Sequence, residues 1–171
     1  MKAVFKAGCV VFAYALTSIE IAAAQVPGPG CTSENATLAA QTVRCEGGVT
    51  IVAENGARYT LTGRKGRVDG VELDSRALLI EVPPRSGGNR FQVTTPQAIA
   101  AVRGTSWVVD AAEGKTSVFV VNGRVAVGRR TGSHSVTLGS GEGVDVEPAG
   151  PLTVKRWAPA RVSALMARLG R

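Results

Sequence analysis
Gly114-Lys115-Thr116 has the ending of a phosphate-binding loop, in which glycine amides cradle phosphates and a lysine reaches their outer oxygens. Val109 stands where the first glycine of such a loop is required, and a strand pattern follows instead of a helix. Gly139-Ser140-Gly141-Glu142-Gly143 could turn several amides toward an anion, but it too leads into a strand pattern, without a helix dipole behind it. Serine-hydrolase chemistry would have to use His134, the one histidine, which lies beside the small polar turn Gly132-Ser133. No serine sits in a nucleophile elbow: Gly104-Thr105-Ser106-Trp107-Val108 lacks the second glycine. Glycosyl transfer to water needs two carboxylates face to face. Asp69, Glu72 and Asp74 cluster in sequence, as do Glu142, Asp145 and Glu147, at turn and outward strand positions. Calcium at the first cluster is opposed by Arg64, Lys65 and Arg67 immediately before it. Asn35-Ala36-Thr37 matches a glycosylation acceptor, which matters only in a secretory pathway that uses it. These residues predict no catalytic, cofactor-binding or metal site, and no enzyme.

The remaining reactive side chains point to export. Lys2 and Lys6 precede an apolar run over 7–16, and Ala22-Ala23-Ala24 follows before Gln25. A basic start, a short apolar core and a small-residue end form a secretory signal, with cleavage expected after Ala24. The run is shorter than the roughly 20 apolar residues that cross a bilayer, so no membrane span is expected after cleavage. Beyond that point stand two cysteines, Cys31 and Cys45, and an even pair in an exported chain is read as a disulfide. Zinc would lack ligands with two cysteines and one distant histidine. Lys and Arg outnumber Asp and Glu by 20 to 13, a net charge of +7. Outside the cytoplasm this favours anionic envelope surfaces over nucleic acid, although the arginines are spread along the chain as on a solvated surface.

The elements that position these residues are short. Pro27-Gly28-Pro29-Gly30 leads into the disulfide. From residue 49 onward, β-branched runs recur at 49–53, 58–62, 70–73, 77–82, 90–95, 98–102, 106–111, 116–121, 124–128, 134–138, 143–147 and 151–155. Several alternate polar and apolar residues, as half-buried strands do. Turn residues such as Glu54-Asn55-Gly56 and Val121-Asn122-Gly123 separate them. The pattern predicts an all-β domain of about a dozen strands, and periodicity leaves a β-solenoid and a two-sheet β-sandwich both open. After Pro159, the residues Val162, Leu165, Met166 and Leu169 make one helical stripe that ends at Gly170. This short amphipathic helix is expected to cap the open edge of the β core.

Residues 91–144 carry one further signal. Phe91 and Val93 lead into Thr95-Pro96, followed by Ala98 and Val102-Arg103-Gly104-Thr105, then Trp107. Thr116-Ser117-Val118 runs on to Gly123-Arg124-Val125, and Leu138-Gly139-Ser140-Gly141-Glu142 closes the series. In this order the segment resembles the FecR domain of bacterial periplasmic signalling proteins, with Trp107 where members often have Phe. The resemblance implies a right-handed β-helical, solenoid-like interaction domain without catalysis, and it alone tips the expectation from sandwich to solenoid. The family resembles a relay from an outer-membrane receptor to a cytoplasmic sigma factor. This chain shows neither a second hydrophobic segment nor a cytoplasmic part, so only the periplasmic module is expected.

Physical roles follow for the residues that carry the likeness. Thr95-Pro96 suits a strand end, Gly104 a sharp bend, and Thr105 a bond to turn backbone. Arg103 is expected either to brace a turn or to contact a partner. Trp107, Gly123 and Gly141 complete the set. The expected organisation is a signal peptide at 1–24, a disulfide-closed leader at 25–44, the β domain at 45–155 and the helix at 156–171. Another envelope protein is the expected partner and the periplasm the expected location, with secretion as the variant. An envelope polysaccharide or peptidoglycan module is the alternative.

Overall fold
The computed structural model describes residues 28, 30–64, 66–84, 90–132 and 134–171. The signal segment expected at 1–24 lies outside them. Among the described residues the strands are β1 (Cys31–Ala36), β2 (Ala40–Cys45), β3 (Thr50–Glu54), β4 (Arg58–Arg64), β5 (Arg67–Val82), β6 (Phe91–Thr94), β7 (Ala98–Val102), β8 (Thr105–Ala112), β9 (Lys115–Asn122), β10 (Arg124–Arg129), β11 (Ser135–Gly139), β12 (Glu142–Val146) and β13 (Lys155–Arg156). One helix, α1 (Pro159–Arg168), follows. The all-β reading with a short terminal helix therefore holds.

All the strands join one continuous, curled sheet. Its pivot is β5, whose 16 residues merge the two runs expected at 70–73 and 77–82. The first half of β5 pairs with β4 and β6, while the half after Arg76 pairs with β3 and β8. Arg76 itself adopts φ 69°, a left-handed conformation that turns the strand between the two halves. One arm of the sheet thus reads β1-β2-β3-β5-β8-β9-β12-β13, and the other reads β4-β5-β6-β7-β10-β11. Among the described residues every pairing is antiparallel except β5 with β6. The core between the arms is built by alternation: Ile51, Leu78, Ile80, Trp107, Val109, Val118 and Val120 come from the first arm, and Val71, Leu73, Phe91, Val93, Val125, Val127 and Leu138 from the second. Two faces packed on a shared core are a feature this curled sheet has in common with a sandwich.

The central strands of the first arm are apolar on both faces, and α1 is the reason. Val52, Ala77, Leu79, Val108 and Phe119 point away from the inter-arm core and pack under Trp157, Leu165 and Leu169. Val162 and Met166 complete the helical stripe at its half-buried margin. The helix therefore covers a face of the sheet, not the edge expected of it. An apolar face of several strands offers a ten-residue helix more area to bury than a strand edge does.

The segment read as a leader builds the first two strands. β1 and β2 form an antiparallel hairpin in which Cys31 and Cys45 are register partners joined by a disulfide. Arg44, opposite Thr32, reaches diagonally across the pair to Glu34, with Nε donating to Oε2 at 2.6 Å. Because β2 is separately laddered to β3 from Ala40↔Glu54 to Arg44↔Thr50, the crosslink holds only β1 in place. A Cys31→Ser/Cys45→Ser variant is accordingly expected to lose about 2–3 kcal/mol in urea unfolding while keeping its sheet signature by circular dichroism. Loss of the whole fold, or an unchanged midpoint, would contradict this assignment.

Candidate functional site
The residues singled out by sequence converge on the seam between the arms. The chain changes arm at the β7–β8, β9–β10 and β11–β12 connections, and Gly104, Gly123 and Gly141 sit at these three crossings. Gly104 has φ 67°, and a Cβ there would stand 3.0 Å from Pro84 Cα. Gly123 has φ 96°, and a Cβ would meet the Gly104 carbonyl oxygen and Thr105 Oγ1, each at 3.0 Å. Two backbone crossings approach so closely that side chains are excluded. Hydrogen bonds tie the crossings together: Thr105 Oγ1 donates to the Arg124 carbonyl at 3.1 Å, the Gly123 amide donates to Ser140 Oγ at 3.1 Å, and the Gly141 amide donates to the Val120 carbonyl at 2.8 Å. Arg103 is exposed on the first of these corners.

A second tie is buried at the β6–β7 turn. Thr95, 3% exposed, accepts the Ala98 amide on Oγ1 at 2.9 Å, closing the turn that exposed Pro96 begins. Its hydroxyl lies 2.7 Å from that of Thr116 on β9, in the opposite arm, and Thr116 donates on to Gln97 Oε1 at 3.0 Å. A chain of hydroxyls with every member bonded is the form in which polar groups survive in an apolar core. Phe91 and Trp107 lie toward the other ends of their strands, opposite Val102 and Val120, both essentially buried.

The acidic residues of the two clusters lie on separate elements. Asp69 is half-buried and Glu72 and Asp74 exposed on the first half of β5, and His134 is exposed before β11. Among the described residues no group of three or more His, Cys, Asp or Glu side chains could hold a metal. Glu142 instead accepts the Gly139 amide at 2.7 Å. Gly114, within the phosphate-loop-like fragment, forms the tight β8–β9 turn with φ 68°.

Asp145 belongs to a constellation that sequence reading did not assemble. Arg161 on α1 donates to both its carboxylate oxygens, at 2.5 and 3.0 Å, and Ser117 Oγ donates to Oδ1 at 2.6 Å. The guanidinium carbon of Arg161 also lies 3.5 Å from the ring centroid of Trp157, which stacks on Phe119 at 5.2 Å. Two helical turns later, Arg168 grips two carboxylates at once. It donates to Glu54 at 3.2 and 2.6 Å and to Asp110 at 2.7 and 2.9 Å. Glu54 also accepts the Ala77 amide at 2.9 Å and an Arg76 N–H at 3.3 Å. The readable signal was the spacing of Arg161 and Arg168, seven residues apart and beside the apolar stripe. Their carboxylate partners lie on three different strands, beyond the reach of local pattern.

These contacts set the charge states. Burial would raise the Glu54 carboxyl, but the Arg168 hydrogen bonds, the Ala77 amide and the charges of Arg168 and Arg76 outweigh it and hold it below the ordinary carboxylate range. Asp145 is likewise opposed by burial and lowered by Arg161 and Ser117, with the charge of Lys115 helping. Hydrogen bonds from Arg168 to Asp110 and Glu54 raise the guanidinium beyond its already high range. A lowered carboxyl stabilises the fold above its unfolded pKa, and that contribution disappears as pH falls through the folded value. Helix docking is therefore insensitive to pH from neutrality down to about 5 and weakens below about 4. Amide chemical shifts of Ala164 and Leu165 followed through an acid titration should move before those of β8. Simultaneous movement of both would show that the carboxylates do not hold the helix.

Comparison with known proteins adds the following. The family model described as FecR protein matches residues 35–126. A crystal structure at 2.50 Å of a "putative anti-sigma factor" from Parabacteroides distasonis ATCC 8503 is similar, with a TM-score of 0.63 and 22% identity over 80% of this chain and 64% of that one. A second of the same description, at 1.65 Å, gives a TM-score of 0.50 and 20% identity over 81% and 61% of the two chains. At these identities the likeness is one of fold, and the chain spans less than two thirds of either structure's length. No curated protein matches the chain.

Proposed function
The chain belongs to the FecR family, and from that premise we propose that it is an exported, non-catalytic module that engages a protein partner in the bacterial periplasm and serves signalling. The observation that carries this reading is the family match at residues 35–126, more than half of the chain. The Cys31–Cys45 disulfide fits an oxidising compartment, and the export signal read at 1–24 accounts for arrival there. The description of the two similar structures as anti-sigma factors supports regulation through protein contact. Family residues at the seam serve this role indirectly by fixing the corners of the sheet, and Arg103 is the member assigned to partner contact.

Placing a photo-crosslinking amino acid at position 103 in intact cells tests the assignment. The expected result is one reproducible adduct with an envelope protein, weakened by Arg103→Ala introduced with a crosslinker at a neighbouring exposed site, while the unfolding free energy of the variant stays within about 1 kcal/mol of the parent. Recovery of the chain from the cytoplasm with reduced cysteines, or no adduct in intact envelopes, would remove the proposal.

A further inference from the structure
Among the described residues the sheet ends at four strands, and three of them carry devices that block a further strand. β1 has a register shift between Glu34 and Ala36 and bears the Glu34–Arg44 ion pair. β4 has two shifts, at Arg58/Tyr59 and Thr62/Gly63, and exposes Arg58 and Arg64. β13 is two residues long, a lysine and an arginine. Bulges, charges and shortness are the means by which edges avoid pairing with other chains. β11 has none of these over Ser135–Leu138, and only its last residue, Gly139, is met by a carboxylate, that of Glu142. Its sequence Ser-Val-Thr-Leu-Gly carries no charge and no proline, and its register with β10 runs unbroken from Gly128↔Ser135 to Arg124↔Gly139.

Which groups β11 presents outward follows from one hydrogen bond. The Gly139 amide donates to Glu142 Oε2, so Gly139 faces away from β10. By antiparallel alternation Ser135 and Thr137 face outward as well, while Val136 and Leu138 bond to β10. The Gly139 amide is already occupied. Among the described residues no strand pairs with the outward amides and carbonyls of Ser135 and Thr137, and both residues are exposed.

We propose that β11 is a self-association edge, where a second copy of this chain pairs antiparallel about a two-fold axis at Val136. That register sets Ser135 of one copy opposite Thr137 of the other, twice, and uses the outward amides and carbonyls of both residues. It also places hydroxyl beside hydroxyl on the outer face, a favourable cross-strand pair. The occupant is a copy because β11 is self-complementary: with no charge on the strand, nothing opposes its own image, in a chain whose net charge is +7. The same lack of charge leaves a foreign strand nothing by which to be selected. A contact of two short strands is small, so the dimer is weak and concentration-dependent.

Sedimentation equilibrium of the full exported chain over a concentration series reads the association directly. Thr137→Pro removes one outward amide and no bond to β10, so the fold is retained while the dissociation constant rises at least about tenfold. Thr137→Lys, which leaves the backbone intact and sets like charges together, should do the same and stands in if the proline variant melts early. A chain that stays monomeric at every concentration overturns the proposal. So does a dimer indifferent to both substitutions, which would place the interface on another surface.

Discussion
Trp107→Ala is expected to remove roughly 3–5 kcal/mol of stability, the largest loss of any single truncation in the chain, whereas Trp107→Phe should cost less than about 1.5 kcal/mol. Trp107 is fully buried between the arms, opposite Ile80 on one neighbour and Val120 on the other. Truncation to alanine therefore opens a cavity that two laddered strands cannot collapse to fill. The phenylalanine case turns on one atom. Among the described residues no acceptor reaches Trp107 Nε1, and a buried unpaired donor costs about 1–3 kcal/mol. Phenylalanine gives up part of the ring volume but also removes that donor, so the two changes oppose each other. Urea unfolding of both variants decides the matter. If phenylalanine is as damaging as alanine, the indole N–H is bonded and the core is packed differently from this account.

Arg168→Ala is expected to cost about 1.5–3 kcal/mol and to loosen α1 selectively. The range lies below that of a fully buried pair because 41% of the Arg168 side chain is exposed, where solvent screens it. Its two partners are better shielded, Glu54 at 11% and Asp110 at 18%. Removing the guanidinium leaves two carboxylates side by side, with Arg76 beside Glu54. Lysine cannot restore a four-bond fork, so Arg168→Lys should recover less than half of the loss. Trypsin cleavage after Arg161 should accelerate in the alanine variant, while cleavage within the sheet should not. Asp110→Asn combined with Arg168→Ala should lose less than the two single losses added together. Full additivity would mean that the ion pair contributes nothing to docking.

The two predictions probe different kinds of legibility. Trp107 stood out in sequence because an aromatic residue within an alternating strand, after an Arg-Gly-Thr corner, has one sensible place to go. The same locality made β7, β8, the β6–β7 turn at Thr95-Pro96 and the stripe on α1 readable. The acidic residues read in sequence as turn and outward strand positions, without partners. Glu54 and Arg168 are 114 residues apart, and no window along the chain shows that they meet. Likewise the cysteine pair was readable, but the strands it joins were not, since Cys-Thr-Ser-Glu-Asn-Ala has little β-branched character. Pairing with β2 makes β1 a strand, against its own propensity.

By itself the sequence determined what each short segment can be: strand periods of two, turns at residues tolerant of positive φ, one amphipathic helix, an oxidisable cysteine pair, and the ordered motif of its family. These depend on neighbours within a few positions, so they survive without the rest of the fold. The tertiary structure alone decided that β5 turns at Arg76 to serve both arms, that Gly104, Gly123 and Gly141 meet at one seam, and that α1 covers a face instead of an edge. Each of these depends on contacts between residues distant in the chain. Their free energy comes from burying two apolar faces of the first arm at once, and no local pattern encodes which surfaces will be brought together to do so.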